Sequence, residues 1–252
     1  MVQRSKGRRD QPANTIVMTA HGLLVALAVV LVAACSLERR SPALLLLDDC
    51  RAPVHYVALG DSTVEGIGAS HPDLNYVSRL HARLRALYPN AHVTNLGVGG
   101  ATSADVIARQ LDRAIKLRPD VVTLSIGPND ITRGMPVARY EQNLDGILGR
   151  LRRETAALIV VNLLPDLAVT PRFANGPQVG VVSRQTLKFN EALARKGLEH
   201  DVALVDLYLP SREEVPRQPM LLWRDGYHPS DAGYARWAEL MWEGIEPRLA
   251  AC

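Results

Sequence analysis

The chain has 252 residues, 47% of them apolar and 22% charged, which suits one folded domain with a substantial core plus a short appendage. The formal charge of +3 sits in the leader: Arg4, Lys6, Arg8 and Arg9 against Asp10 account for all of it, and from Cys35 onward acidic and basic residues balance. A neutral body without a basic stripe argues against a nucleic-acid partner, and the lack of self-similarity at periods of roughly 20–50 residues argues against a repeat architecture.

The N-terminus reads as an address. A basic stretch ending at Arg9 is followed, after a polar spacer, by an apolar run from Ile16 to Ala34 that is densest from Leu23. This is the pattern of a secretory signal, and the small residues Ala33 and Ala34 suit a peptidase. Three readings fit. One is simple cleavage after Ala34. A second is a lipobox, Val32-Ala33-Ala34-Cys35, in which Cys35 becomes the lipidated first residue. The third is an uncleaved membrane anchor, since the run approaches the ~20 residues of a spanning helix, although Thr19, His21 and Gly22 weaken its first turn. The expectation is export to the cell envelope, lipid-anchored or secreted. Residues 1–34 are therefore taken as the signal, 35–52 as a tether and 53–252 as the folded domain. The tether carries charges, Pro42 and one short apolar run, Ala43 to Leu47, whose leucines have packing on the domain surface as their alternative. With Cys35 lipidated, Cys50 and Cys252 remain as an even pair in an oxidising compartment, though spacing alone does not establish that they meet.

Beyond Val54, short apolar runs alternate with amphipathic stretches of helical length, the signature of a parallel sheet covered by helices on both faces. The pattern predicts strands over Val54–Leu59, His92–Leu96, Val121–Ile126, Leu158–Leu163 and Val202–Leu207. It predicts helices near Asp73–Leu87, Ser103–Leu117, Pro136–Glu154, Val181–His200 and Asp231–Leu249, the last entered through Pro229 and Ser230. Ligands of such sheets bind beyond the carboxyl ends of the strands.

Four segments fall at those ends. Strand one runs into Gly60-Asp61-Ser62-Thr63, which puts a hydroxyl where a nucleophile belongs, although Gly-Asp-Ser alone is ordinary turn chemistry. A serine needs a base and the base an orienting acid. Asp225-Gly226-Tyr227-His228-Pro229, after the fifth strand, offers both on the same sheet edge. Alone, it reads more readily as a turn leading into the final helix. Acyl transfer also needs donors for an oxyanion. Asn95-Leu96-Gly97-Val98-Gly99-Gly100-Ala101-Thr102 and Gly127-Pro128-Asn129-Asp130 supply backbone N–H groups and an uncharged amide. The glycine segment lacks the lysine of a P-loop, and Thr102 stands where the dinucleotide fingerprint has its third glycine, which disfavours a nucleotide site.

In this order and after these strands, the four segments resemble the blocks of the SGNH or GDSL hydrolases over essentially all of Val54–Leu249. Ser62 matches the block I serine, Gly100 the block II glycine, Asn129 the block III asparagine and His228 the block V histidine, with Asp225 three residues before it. The resemblance implies a flavodoxin-like three-layer α/β/α sandwich with a five-stranded parallel sheet. It implies a Ser62–His228–Asp225 triad, an oxyanion hole from the Ser62 and Gly100 N–H groups and the Asn129 side chain, and neither metal nor organic cofactor. Thr63 departs from the leucine of the family's short name, and no Gly-x-Ser-x-Gly elbow surrounds Ser62, which argues against the α/β-hydrolases. The expected function is ester hydrolysis through an acyl-enzyme, on a small-molecule, lipid or glycan ester. Acyl transfer on the same triad and a non-catalytic tethered lipid- or carbohydrate-binding protein are the alternatives. Pro165 to Gly180 is long enough for a lid or an acyl-pocket wall and reads at least as well as a plain surface loop, and the oligomeric state is open.

Overall fold

The computed structural model describes residues 49–249. The expected signal, the lipidation candidate Cys35 and nearly all of the tether lie outside the described residues. Cys50 is joined in a disulfide whose partner also lies outside them.

Five strands, β1 (His55–Gly60), β2 (His92–Asn95), β3 (Val121–Ser125), β4 (Leu158–Asn162) and β5 (Ala203–Val205), form one parallel sheet in the order β2-β1-β3-β4-β5. Alternation along each strand divides the core. Val57, Leu59, Val122, Leu124, Ile159 and Val161 face the layer built on Val137–Glu154 and Val179–Glu199. Tyr56, Ala58, Val121, Val160, Ala203 and Val205 face the layer of Tyr76–Leu87 and Asp231–Ile245. The three-layer α/β/α sandwich follows from burying both faces of a parallel sheet. Strand order reverses between β1 and β3, so their carboxyl ends flank the crevice where such sheets bind ligands.

Two expected helices are not continuous. Asp73–Leu87 is split into a turn, Pro72–Leu74, and Tyr76–Leu87, because the Asn75 side chain accepts from the Ser78 N–H and caps the second piece. Ser103–Leu117 opens into a π segment, Val106–Gln110, between Ser103–Asp105 and Leu111–Lys116. The final helix ends at Ile245 and tightens into a 3₁₀ turn, Glu246–Arg248. The segment Pro165–Gly180 is ordered around Leu167–Val169 and a short helix, Pro171–Ala174.

Candidate active site

Gly60 ends β1 and Ser62 opens a one-turn helix, Ser62–Glu65. Asp61 caps it, its Oδ1 accepting from the Thr63 N–H at 3.0 Å and the Thr63 hydroxyl at 2.9 Å. Gly60 has φ +147°, and a Cβ there would collide with the Ser125 carbonyl oxygen; only glycine passes the neighbouring strand in this conformation. Asp61 is buried, and desolvation pushes its carboxyl up to about 6 against the bonds from Thr63.

The base arrives from the other end of the chain. An isolated antiparallel bridge, Leu222 with Pro229, and a bond from the Trp223 N–H to the His228 carbonyl, 2.8 Å, close a short loop. Within it Asp225 Oδ1 accepts from the N–H groups of Tyr227 and His228, both 3.0 Å. Asp225 Oδ2 lies 2.6 Å from His228 Nδ1, and His228 Nε2 lies 2.9 Å from Ser62 Oγ. Burial alone would raise the Asp225 carboxyl, but the hydrogen bonds from the His228 ring and the two N–H groups outweigh it and hold the pKa below its ordinary value. The structure thus brings Ser62 to a local Asp225–His228 pair that lies more than half the chain away in sequence, in the order hydroxyl, imidazole, carboxylate.

Gly100 and Asn129 share a cleft of about 280 Å³ with Ser62 and His228. Asn129 Nδ2 donates to the Ala101 carbonyl at 3.0 Å, which fixes the amide plane and leaves a second N–H on the same nitrogen. Ser62 stands at the first helical position, where a backbone N–H has no partner within the helix. The Arg133 guanidinium donates to the Gly100 carbonyl at 2.8 Å, immobilising that peptide from outside the cleft. Gly97 serves differently: a Cβ there would come within 2.5 Å of the Glu65 nitrogen, so this glycine allows the second loop to pack against the helix behind Ser62.

Several supporting residues carry no motif. Gln110 grips Gly60 twice, accepting from its N–H at 2.9 Å and donating to its carbonyl at 2.8 Å. The π segment sets the phase that turns this side chain toward β1. Asp130 is fully buried and accepts from the Ser103 N–H and hydroxyl, while Asn143 donates to the Ser103 hydroxyl; this network ties the segment after Asn129 to the segment after Gly100. Tyr227 meets the His228 ring edge-on, with Phe173 edge-on against Tyr227 and the Arg172 guanidinium 5.0 Å from the Tyr227 ring. The 165–180 segment therefore packs directly on the loop that carries His228. Only the Asp in the run Asn129-Asp130 had a local signal, as an acid next to a site asparagine; the others depend on tertiary placement.

A parallel α/β/α sandwich with a serine, an imidazole and a carboxylate in relay beside a glycine- and asparagine-lined cleft defines a serine-type carboxylic ester hydrolase. The family model for the GDSL-like lipase/acylhydrolases matches residues 58–236, and the chain belongs to that family. It is 27% identical over 207 residues to esterase TesA of Pseudomonas aeruginosa, covering 82% of this chain and 95% of that one. Over 168 residues it is 28% identical to an acetylxylan esterase of Geobacillus stearothermophilus, covering 63% and 75% respectively. A crystal structure of TesA superposes with a TM-score of 0.63 at 26% identity, over 77% of this chain and 99% of that chain.

Proposed function

We propose that Ser62, His228 and Asp225 are the catalytic triad, that Gly100, Asn129 and the Ser62 N–H hold the oxyanion, and that hydrolysis passes through an acyl-enzyme. The contact of 2.9 Å between His228 Nε2 and Ser62 Oγ, with Asp225 on Nδ1, carries this reading. His228 Nε2 accepts the Ser62 proton as Oγ bonds to the ester carbonyl carbon, and the carbonyl electron pair moves onto oxygen. Collapse breaks the carbon–alkoxy bond, and the leaving alkoxide takes the proton from His228. Water then repeats the sequence against the acyl-serine, releasing the acid and restoring the Ser62 hydroxyl. Asp225 stabilises the imidazolium in both halves.

The leader supports an exported enzyme with Cys35 as the candidate lipidated residue, so esters of envelope lipids or acetylated glycans are the substrates within reach. The names of the relatives, an esterase and an acetylxylan esterase, are consistent with that range. The test is hydrolysis of p-nitrophenyl esters with pre-steady-state detection. Wild type is expected to give a burst stoichiometric with active sites, and Ser62→Ala none. Labelling of Ser62→Ala by a serine-directed phosphonate would remove Ser62 from the role. Asn129→Ala is expected to lower kcat by about 10²–10³ with KM nearly unchanged; unchanged kcat would take Asn129 out of the oxyanion site.

A further inference from the structure

The alcohol half of an ester leaves from a defined side of the site. When the carbon–alkoxy bond breaks, the leaving oxygen takes its proton from His228 Nε2. The group carried on that oxygen therefore lies beside His228, in the cleft of about 280 Å³. Arg172 and Thr132 also line this cleft, and neither the triad nor the oxyanion donors require them.

Arg172 is tied to the loop that carries His228. Its backbone N–H donates to the Gly226 carbonyl at 3.2 Å, and its guanidinium lies 5.0 Å from the Tyr227 ring and 5.7 Å from the Phe173 ring. Tyr227 in turn meets the His228 ring with 5.1 Å between centroids, so the cation stands one ring away from the general acid. Ion pairs among the described residues engage Arg109, Arg150, Arg152, Arg195 and Arg236, whereas Arg172 is exposed and forms none among them. The carboxylates around the cleft are occupied: Asp225 bonds His228 and two backbone N–H groups, and Glu65 accepts from the Gly99 N–H at 2.6 Å. A second guanidinium, Arg133, stands behind the Gly100 wall. Ring contact restrains the Arg172 guanidinium without consuming its N–H donors, whose fork matches a carboxylate or a phosphate.

We propose that Arg172 binds an anionic group on the alcohol half of the substrate, so that the preferred esters are those of an alcohol bearing a carboxylate or a phosphate. The proposal rests on the reading of Ser62 as nucleophile and His228 as general acid. It assigns the leaving-group side of the cleft a charge preference and leaves the acyl half untouched.

The experiment compares kcat/KM within two pairs of acetate esters, each an anionic ester and a neutral counterpart. One pair is 3-carboxy-4-nitrophenyl acetate and its 3-carbamoyl analogue. The other is 1-acetylglycerol 3-phosphate and 1-acetylglycerol, followed by acetate release. Rates are divided by those of hydroxide-catalysed hydrolysis, which removes differences in intrinsic reactivity. Wild type at low ionic strength is expected to favour the anionic ester about fivefold, the size of one partly exposed ion pair, and added salt should reduce the advantage. Arg172→Met keeps an apolar stem against Tyr227 and Phe173 and is expected to bring the ratio close to one, while Arg172→Lys keeps part of it. Arg153→Met removes a charge at the end of Val137–Glu154 that precedes β4, at the opposite edge of the sheet, and is expected to keep the wild-type ratio. An Arg172-dependent advantage in either pair supports the proposal, and the pair that shows it identifies the anion. Absence of an advantage in both pairs, or a ratio unmoved by Arg172→Met, would overturn it. Equal loss on both members of a pair would leave Arg172 as a clamp on Tyr227 instead. If wild type hydrolyses the neutral esters and Ser62→Ala does not, such a result strikes the anion site alone. Absence of turnover of every ester in wild type would overturn the reading of Ser62 and the proposal with it.

Discussion

Ser62 and His228 meet at 2.9 Å from opposite ends of the folded domain, and they are held by different kinds of contact. Around Ser62 the ties are long in sequence. Gln110 reaches Gly60 across 50 positions, Asn95 donates to the Val64 carbonyl across 31, and Glu65 accepts from the Gly99 N–H across 34. Around His228 the ties are short: Asp225 bonds residues two and three positions away, and the loop closes on itself through Trp223. The nucleophile is thus fixed by the tertiary core, whereas the base is fixed by the conformation of its own loop, clasped by Arg172 and Phe173. The lesson is that damage to the two halves should show differently, as lost stability on one side and lost chemistry with intact folding on the other.

Asp225→Asn is the sharpest way to break that contrast. The substitution keeps the loop's acceptor for the Tyr227 and His228 N–H groups but removes the charge that orients and stabilises the imidazolium. By analogy with other triads kcat is expected to fall by about 10⁴, with the unfolding midpoint in urea close to wild type. A large fall in that midpoint would show that the carboxylate holds the loop rather than the imidazole. Gln110→Leu addresses the other half. It leaves the Gly60 N–H buried without a partner and the carbonyl with one bond from Val98 instead of two, a cost of about 3–4 kcal/mol in unfolding free energy. The surviving folded fraction is expected to show reduced kcat with little change in KM, because the misplaced group is Ser62 and not the substrate cleft. Unchanged stability would mean that the π segment does not need this side chain.

The same contrast sets what was legible beforehand. The four chemical segments stand at strand ends, where each is a contiguous string, and the apolar alternation placed all five strands to within one or two residues. The relay Asp225–His228 is local, so its offset of three was readable as a reach from carboxylate to ring. Gln110 was not, because nothing within the run Val106–Gln110 signals a π turn; the phase change is imposed by packing against β1, and a polar residue on a helical stretch otherwise reads as surface. Asn75 failed for the opposite reason: its capping role is local, but a continuous apolar period across Asp73–Leu87 masked the break.

The smallest expected effect concerns Asp61, which belongs to the buried half and sits next to the nucleophile. Its carboxyl titrates at about 6 in the folded chain because burial disfavours the anion, against an ordinary value near 3.9 in an unfolded one. The folded state therefore binds the proton more tightly, and stability from this group is greatest below about pH 4 and declines as pH rises through 6. The difference between the two values corresponds to roughly 2–3 kcal/mol. Asp61→Asn keeps an acceptor for the Thr63 N–H while carrying no charge, so it is expected to be more stable than wild type by roughly that amount at pH 8. The difference should shrink between pH 6 and 4 and vanish below it. Urea unfolding of the two proteins at pH 4, 6 and 8 measures this directly. A difference independent of pH would mean that Asp61 does not carry the titration, and destabilisation by Asp61→Asn at pH 8 would mean that the ionised carboxylate is needed where it is buried. In the second case the charge on Asp61, which also acts on His228, would belong to the electrostatics of the relay, and the sharp division between a structural half and a chemical half would no longer hold at this residue.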